Sequence, residues 1–542
     1  MASSLRNVTP FLVVLMLVST LGPLQFGFHL VSPALCPRMR PATISEGELP
    51  IHRPYTLTNT LLQAELNAPA DVIRCIKKPS STLEKLTALV TRPDGADVDC
   101  IRMDDATFAA VSAIFTVGGL LGALTAGPFT SHRGRRLSMQ ITAAFFLVGS
   151  IIETLASTAV LLGLGRFLTG IGAGASTVIV PLYISEVAPP AQRGFFGAFT
   201  QISINVGILV TQTMGYFLSY GSAWRWILGS GIIIALSQAL GLFAIPESPT
   251  WTATAKGDMA QARRALQRIR GKHANIDDEA ESWSKGDGKL PSEEERLLAA
   301  EDPAAVEAAG TPLSQGAAPN AGTTHMGFAQ VVRDPHTRPA IIAVIGIMFA
   351  QQLCGINSII MYSVSLLQGL LPINSALLTI IISIINLGVT IAASPLPDRL
   401  GRKACLLTSI IGQGSSSLAL ALSIVFGIKI LSAISVLLFV ALFAVGLGPV
   451  PFILASELVG PEAVGATQSW ALGANYAATF LVAYLFPIVN TALNNAFGGA
   501  GWVYFIFAGF ALIFTGFITR NVPETLGKKD ADEVWGRVRR VD

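Results

Sequence analysis

LGRFLTGIGAGASTVIVPLYISEVAPPAQR, residues 164–193, decides the fold. It opens as an apolar run dotted with glycine and closes in a charged loop with two prolines. Gly170, Gly172 and Gly174 leave one face without side chains, and in lipid such faces let helices meet closely, because apolar burial gives no net drive there. Arg166 stands inside the apolar run, where a charge is costly and is usually paired or functional. Glu186 and Arg193 lie at the polar end. A soluble helix has no need of this combination; a moving membrane helix that ends in a charge latch does.

The composition agrees. The 542 residues are 51% hydrophobic and only 13% charged, against about 25% charged in soluble domains, and the mean hydropathy is +0.57. A crossing helix needs about 20 apolar residues, and about twelve such runs are present. The fold expected is an all-α polytopic membrane protein. Lys plus Arg number 37 and Asp plus Glu 34, so charge gives no case for nucleic acid. Five cysteines are too few for a disulfide scaffold. Cys354 and Cys405 sit in apolar runs as inert core residues, while Cys75 and Cys100 bracket a polar loop and are a candidate pair. The six histidines are scattered, and no nucleophile–base set or metal-spaced cluster stands out. No enzyme, metal or cofactor is expected.

The first apolar run, from Pro10 to Leu30, reads as the start of the first span. Residues 31–63 interrupt it with a proline- and arginine-rich stretch lacking helical periodicity; loops of that length without structure are uncommon in compact folds. Deleting 31–63 joins FGFHL to AELNAPADVI in one helix-compatible run. The stretch starts with Val-Ser, which codons beginning GT-AG encode, and ends with Gln, encoded by CAG. It is read as a translated, unremoved intron. The expected organisation is an N-terminal six-helix bundle over 1–246, a central loop with short helices over 247–337, a second six-helix bundle over 338–520 and a tail over 521–542. The basic connections, including Arg133, Arg135, Arg136, Arg193, Arg399, Arg402 and Lys403, fall on one side, which the positive-inside rule makes cytosolic together with both termini.

The halves repeat each other. RGRR at 133–136 answers LGRK at 400–403, Glu186 before APP answers Glu457 before VGP, and PESP at 246–249 answers PET at 523–525. Two like bundles imply a cleft between them near mid-membrane.

With these motifs in place, the chain resembles the sugar porter branch of the major facilitator superfamily, close to the facilitative glucose transporters. LTGIGAGA with Tyr183, Glu186 and Arg193, PESP, QQLCGIN at 351–357, DRLGRK at 398–403, GPVPF at 448–452 and PETLG at 523–527 carry the resemblance. It implies twelve spans in two pseudo-symmetric bundles and sugar-binding positions at Gln201, Gln351, Gln352, Asn357, Asn386 and Asn475, with Phe452 and Tyr476 as aromatic faces. The chemistry is apt: amides donate and accept, as sugar hydroxyls do, without a charge. The family's glucose carriers usually have tryptophan at the two aromatic positions. The gating charge network implied comprises Arg166, Arg135, Arg136, Glu186, Arg193, Glu247, Arg399, Arg402, Glu457 and Glu524. Ser131 stands where the family has Asp, and Val464 where an arginine would answer Arg193. An incomplete latch predicts a resting preference for the inward-open state.

Proton-coupled members carry Asp after the aromatic of the first-span FGY motif. This chain reads FGFH, so the possible proton-coupling position is His29. An imidazole beside Arg166 brings no negative charge to pair and unpair with it. Facilitated uniport of a hexose-type sugar is expected, with proton symport, or a sugar sensor or trafficking factor that moves nothing, as alternatives. Glu293 with Leu297 and Leu298 matches an acidic dileucine pattern; a sorting adaptor reading it sends the protein to a vacuolar or endosomal membrane, and otherwise the plasma membrane is expected.

Overall fold

The computed structural model describes residues 9–30, 100, 101, 103, 105–219, 222–272, 274–284, 326–359, 375–498, 501–528 and 531–537. The suspected insert 31–63, Cys75, Glu293, Leu297 and Leu298 lie outside the described residues. Cys100 is disulfide-bonded, to a partner also outside them. Cys354 and Cys405 are free and buried.

Every regular element among the described residues is helical. Twelve long ones are α1 (Pro10–His29, with a turn at Thr20), α2 (Asp105–Arg133), α3 (Arg135–Leu155), α4 (Ala159–Val187), α5 (Arg193–Leu218), α6 (Trp224–Ala244), α7 (Arg338–Leu353, resuming after a break to Ile359), α8 (Ser375–Ala393), α9 (Arg402–Val425), α10 (Lys429–Val445, resuming at Val450–Glu457), α11 (Val464–Phe497) and α12 (Val503–Asn521). Eleven spans among the described residues are long and apolar enough to cross a membrane; the other long helix, α11, has 34 residues. Trp226, Phe217, Ile233, Leu240, Leu512 and Ile513 lie exposed on the outer faces, where lipid rather than water is their solvent.

The glycines of the fourth span do what their spacing suggests. A Cβ built on Gly174 would overlap the Gly119 carbonyl of α2, and one on Gly170 would overlap the Phe115 carbonyl. Gly118 and Gly122 of α2 meet the α4 backbone in return. Backbone lies on backbone, the arrangement that small residues permit in lipid. α4 also packs on α3, α1 on α5, α9 on α10 and α12, and α7 on α11. The halves touch along two seams, α2 with α11 and α5 with α8.

Short helices brace the arginine-bearing end. Met259–Arg270 is N-capped by Asp258, whose side chain accepts from the Gln261 N–H. It docks through Arg270, which donates to the Val187 carbonyl at 2.7 Å and pairs with Glu279, and through the Thr9 hydroxyl, which donates to the Ile269 carbonyl. On the second half, the Trp535 indole donates to the Leu458 carbonyl, and Trp470 stacks on Phe328.

Candidate functional site

The repeat read from sequence is present atom by atom. Arg135 makes a two-pronged pair with Glu186 (2.9 and 2.6 Å) and donates to the Thr130 carbonyl. Arg402 makes the same pair with Glu457 (3.0 and 2.8 Å) and donates to the Pro397 carbonyl. Glu247 accepts from the backbone N–H groups of Arg135 and Arg136. Glu524 accepts from those of Arg402 and Lys403. Gly134 (φ 90°) and Gly401 (φ 95°) make both turns possible: each has positive φ, and a Cβ on either would meet the carboxylate it faces. Burial pushes the Glu247 carboxyl up, against the N–H bonds from Ser248, Arg136 and Arg135 that favour its charge. Arg136 also donates to the Leu242 and Phe243 carbonyls. Each clasp closes within one half.

Arg193 lies among Glu457, Glu279, Arg270 and Arg402. Arg399 is exposed and takes no part in these bonds. Arg166 is elsewhere, and its assignment to the latch is corrected. It lies two turns from the opposite end of α4, inside the first bundle.

The arginine-bearing end is shut in this structure. The Asp398 carboxylate accepts from the Gly194 and Phe195 N–H groups at the start of α5 (3.0 and 2.7 Å) and pairs with Arg402 at 3.1 Å. Two of its contacts thus join the two halves at a helix N-terminus, where a negative charge is favoured. The α2–α11 seam needs no charge: Gly127 and Gly465 are in backbone contact, and a Cβ on Gly465 would sit 2.5 Å from the Ser131 hydroxyl. Gly127 donates its N–H to Ser469 Oγ at 3.0 Å, which itself donates to the Ala123 carbonyl. Ser131 and Val464 leave the charge network incomplete, yet close packing replaces it. Asp398→Ala removes bonds to a charged acceptor, each worth about 1.5–3 kcal/mol. It is expected to speed alkylation of a cysteine placed at buried Ser469 by about tenfold or more; an unchanged rate rejects the latch.

Between this closed end and the other, the predicted amides gather. α7 breaks at Gly355, whose φ is 97° and whose absent Cβ leaves room for the Phe507 ring. α10 breaks at Gly446–Pro449. Gln351 spans the two breaks: its Nε2 donates to the Leu447 carbonyl, and its Oε1 accepts from Asn475 Nδ2 of α11. Asn357 Nδ2 donates to Gln352 Oε1 at 2.6 Å. From the first half, Gln201 faces the α10 break, its Cγ 3.5 Å from where a Cβ on Gly448 would stand. Gln201 Nε2 donates to Asn205 Oδ1, Asn205 Nδ2 to Thr390 Oγ1, and Thr390 Oγ1 to the Asn386 carbonyl. Phe452 and Tyr476 are buried; the Tyr476 ring fills the notch at Gly119 of α2. The structure thus joins Gln351 to Asn475 and Gln352 to Asn357, sets Gln201 beside the α10 break that Gln351 bonds, and links Gln201 through Asn205 and Thr390 to Asn386.

His29 and Arg166 form a second site with a residue the sequence reading passed over, Glu153 of α3. Glu153 Oε2 lies 3.9 Å from both His29 Nδ1 and Arg166 Nη1, and all three side chains are wholly buried. Thr169 donates to Glu153 Oε1 at 2.8 Å, and Arg166 Nη2 donates to the His29 carbonyl at 3.0 Å. The imidazole stacks on Phe146 and the guanidinium lies over Phe115. A buried charge needs a partner, and Glu153 is one for Arg166. The signal was available: a lone acid in FFLVGSIIETL is as conspicuous as the lone arginine of α4. Asn205, Gln212 and Ser383 were also missed, since a polar residue in a span does not announce its partner.

A sequence model of the family described as "Sugar (and other) transporter" matches residues 64–534, beginning at the residue that follows the suspected insert. A probable metabolite transport protein of Saccharomyces cerevisiae is 31% identical over 97% of this chain and 96% of its own length. The mouse solute carrier family 2 facilitated glucose transporter member 3 is 29% identical over 97% of this chain and 92% of its own. The proton:xylose symporter XylE, solved with 6-bromo-6-deoxy-D-glucose, superposes with a TM-score of 0.69 at 22% identity, over 97% of this chain and 98% of XylE. The fold is that of the major facilitator superfamily.

Proposed function

This chain belongs to the sugar transporter family, and on that footing we propose that it carries a hexose-type sugar by alternating access as a facilitative uniporter. It is a multi-pass membrane transporter of sugars and not an enzyme. The observation that supports the finer reading is that Gln201 of the first half stands at the α10 break that Gln351 of the second half bonds, with Gln351 holding Asn475 in turn. The amides are uncharged and bonded to one another, to Asn205 and Thr390 and to backbone carbonyls, so a polyol can exchange hydroxyls for those bonds and leave again. Closing the halves over the sugar and opening the arginine-bearing end, which the reading makes cytosolic, completes a cycle. Hexose counterflow in liposomes, run with residues 31–63 present and deleted, tests this. Exchange of glucose or a close analogue by either form supports it, and inertness of both toward every monosaccharide ends it. Activity confined to the deleted form supports the retained-intron reading of 31–63.

Uniport fits a charge triad closed within one bundle, because rocking one half against the other does not require its members to part. Glu153 nonetheless favours a second reading, symport, since a buried carboxyl can carry a proton. Uniport expects sugar to reach the same plateau with and without an imposed proton gradient, in wild type and in Glu153→Gln. Sugar-evoked alkalinisation of a weakly buffered bath that disappears in Glu153→Gln, with counterflow kept, is the symport result.

The acidic dileucine pattern supports residence in a vacuolar or endosomal membrane. Leu297→Ala with Leu298→Ala is then expected to move a fluorescently tagged protein to the cell surface; an unchanged distribution removes the sorting proposal.

A further inference from the structure

The geometry points to Asn205 as a positioning residue for sugar recognition, one that sets the orientation of the Gln201 amide and ties it to the opposite half. This rests on the reading of Gln201 as a sugar contact. Asn205 is 2% exposed and sits one turn beyond Gln201 on α5. Its Oδ1 accepts from Gln201 Nε2 at 3.1 Å, and its Nδ2 donates to Thr390 Oγ1 at 2.9 Å. Thr390, 1% exposed, donates in turn to the carbonyl of Asn386, another sugar-site position, at 2.7 Å. A free glutamine amide rotates and offers a donor or an acceptor indifferently. Bonded in this way, Gln201 has one N–H committed, and its Oε1 and second N–H are left in fixed directions for a ligand hydroxyl. Fixing a recognition group before binding raises affinity by removing the cost of ordering it.

The plainer account is that Asn205 merely fastens α5 to α8. A second bridge weakens that account. Ser383 Oγ donates to Gln212 Oε1 at 2.7 Å, two helical turns along the same antiparallel seam, and Asp398 holds its far end. The seam is fastened above and below Asn205. Apolar groups replacing both members of the Asn205–Thr390 pair would pack there without leaving either of them unsatisfied. Among the described residues no other side chain accepts from Gln201.

A double-mutant cycle in proteoliposomes separates the two roles. Asn205→Leu together with Thr390→Val is expected to raise the KM for glucose counterflow by about tenfold, with Vmax within about twofold of wild type. Thr390→Val alone, which leaves the bond to Gln201, is expected to shift KM by less than about threefold. On a Gln201→Leu background the Asn205→Leu change is expected to do nothing further. In a panel of monodeoxyglucoses, wild type is expected to reject one member that the Asn205→Leu variant accepts as well as glucose. Asn205→Ser, too short to reach Gln201 but still able to bond Thr390, gives a second route if the leucine variant does not fold, and the same rise in KM is expected. Equal effects of Asn205→Leu with and without Gln201, or a fall in Vmax at unchanged KM, overturn the assignment in favour of a simple bridge. A wild-type carrier inert toward every sugar overturns the transport reading and this assignment with it, whereas an active wild type with indifferent Asn205 variants overturns this assignment alone.

Discussion

Gln351→Leu is expected to lower sugar counterflow per carrier by about a hundredfold. The side chain is 4% exposed and is the one that joins both helix breaks of the second half to α11. Leucine fills nearly the same volume, so packing is kept. What is lost is the donor to the Leu447 carbonyl and the acceptor for Asn475 Nδ2, besides any bond to the sugar. A buried polar group left unmet costs about 1–3 kcal/mol, and two of them amount to about 3 kcal/mol, or two decades in rate or affinity. Gln413→Leu is the control. Gln413 is a buried amide of α9 that bonds Ser409 Oγ and, among the described residues, none of the six amides. Transport within about threefold of wild type is expected there. If both variants fall equally, the loss reports damage to buried amides in general and the site assignment fails.

Gly174→Val is expected to abolish the folded protein altogether. The new Cβ would occupy the space of the Gly119 carbonyl oxygen, and two helices in backbone contact can separate only by abandoning the reciprocal contacts at Gly118, Gly122 and Gly170. Overpacking a core costs about 1–3 kcal/mol where side chains can yield; a backbone carbonyl cannot, so the cost lies at or above the top of that range. Gly163→Val, two turns and more away on the same helix, meets only Val111 Cγ2, at 3.8 Å, and is expected to be tolerated. Fluorescence-detected gel filtration after detergent extraction compares the two. A monodisperse peak for Gly174→Val would falsify the close-packed account of α4.

How much of this was legible beforehand depends on what kind of contact was at stake. The fold was, because span length, the glycine face of α4 and the repeated clasp residues are local patterns, and the structure shows Arg135 with Glu186 and Arg402 with Glu457 in matching geometry. The six amides were placed by motif, and among them the structure bonds Gln351 to Asn475 and Gln352 to Asn357. Partnerships across helices were not legible. Glu153 is as visible in sequence as Arg166, but nothing in the chain says that α3 turns it toward α4. Asn205 and Thr390 are 185 residues apart, and neither lies in a recognisable motif. The uncharged part of the closure at the arginine-bearing end was not legible either. Counting arginines and acids weighs electrostatic fastening, whereas Gly127 and Gly465 close their seam by the absence of side chains.

That contrast bears on how the arginine-bearing end responds to its surroundings. One of its two seams is ionic, with Asp398 against the start of α5, and the other carries no charge, with α2 lying on α11 through glycine contact and the hydrogen bonds of Ser469. Acid or salt on that side is expected to loosen the first more than the second, which has no charge to neutralise or screen. The two edges of that end are thus expected to answer the aqueous phase unequally.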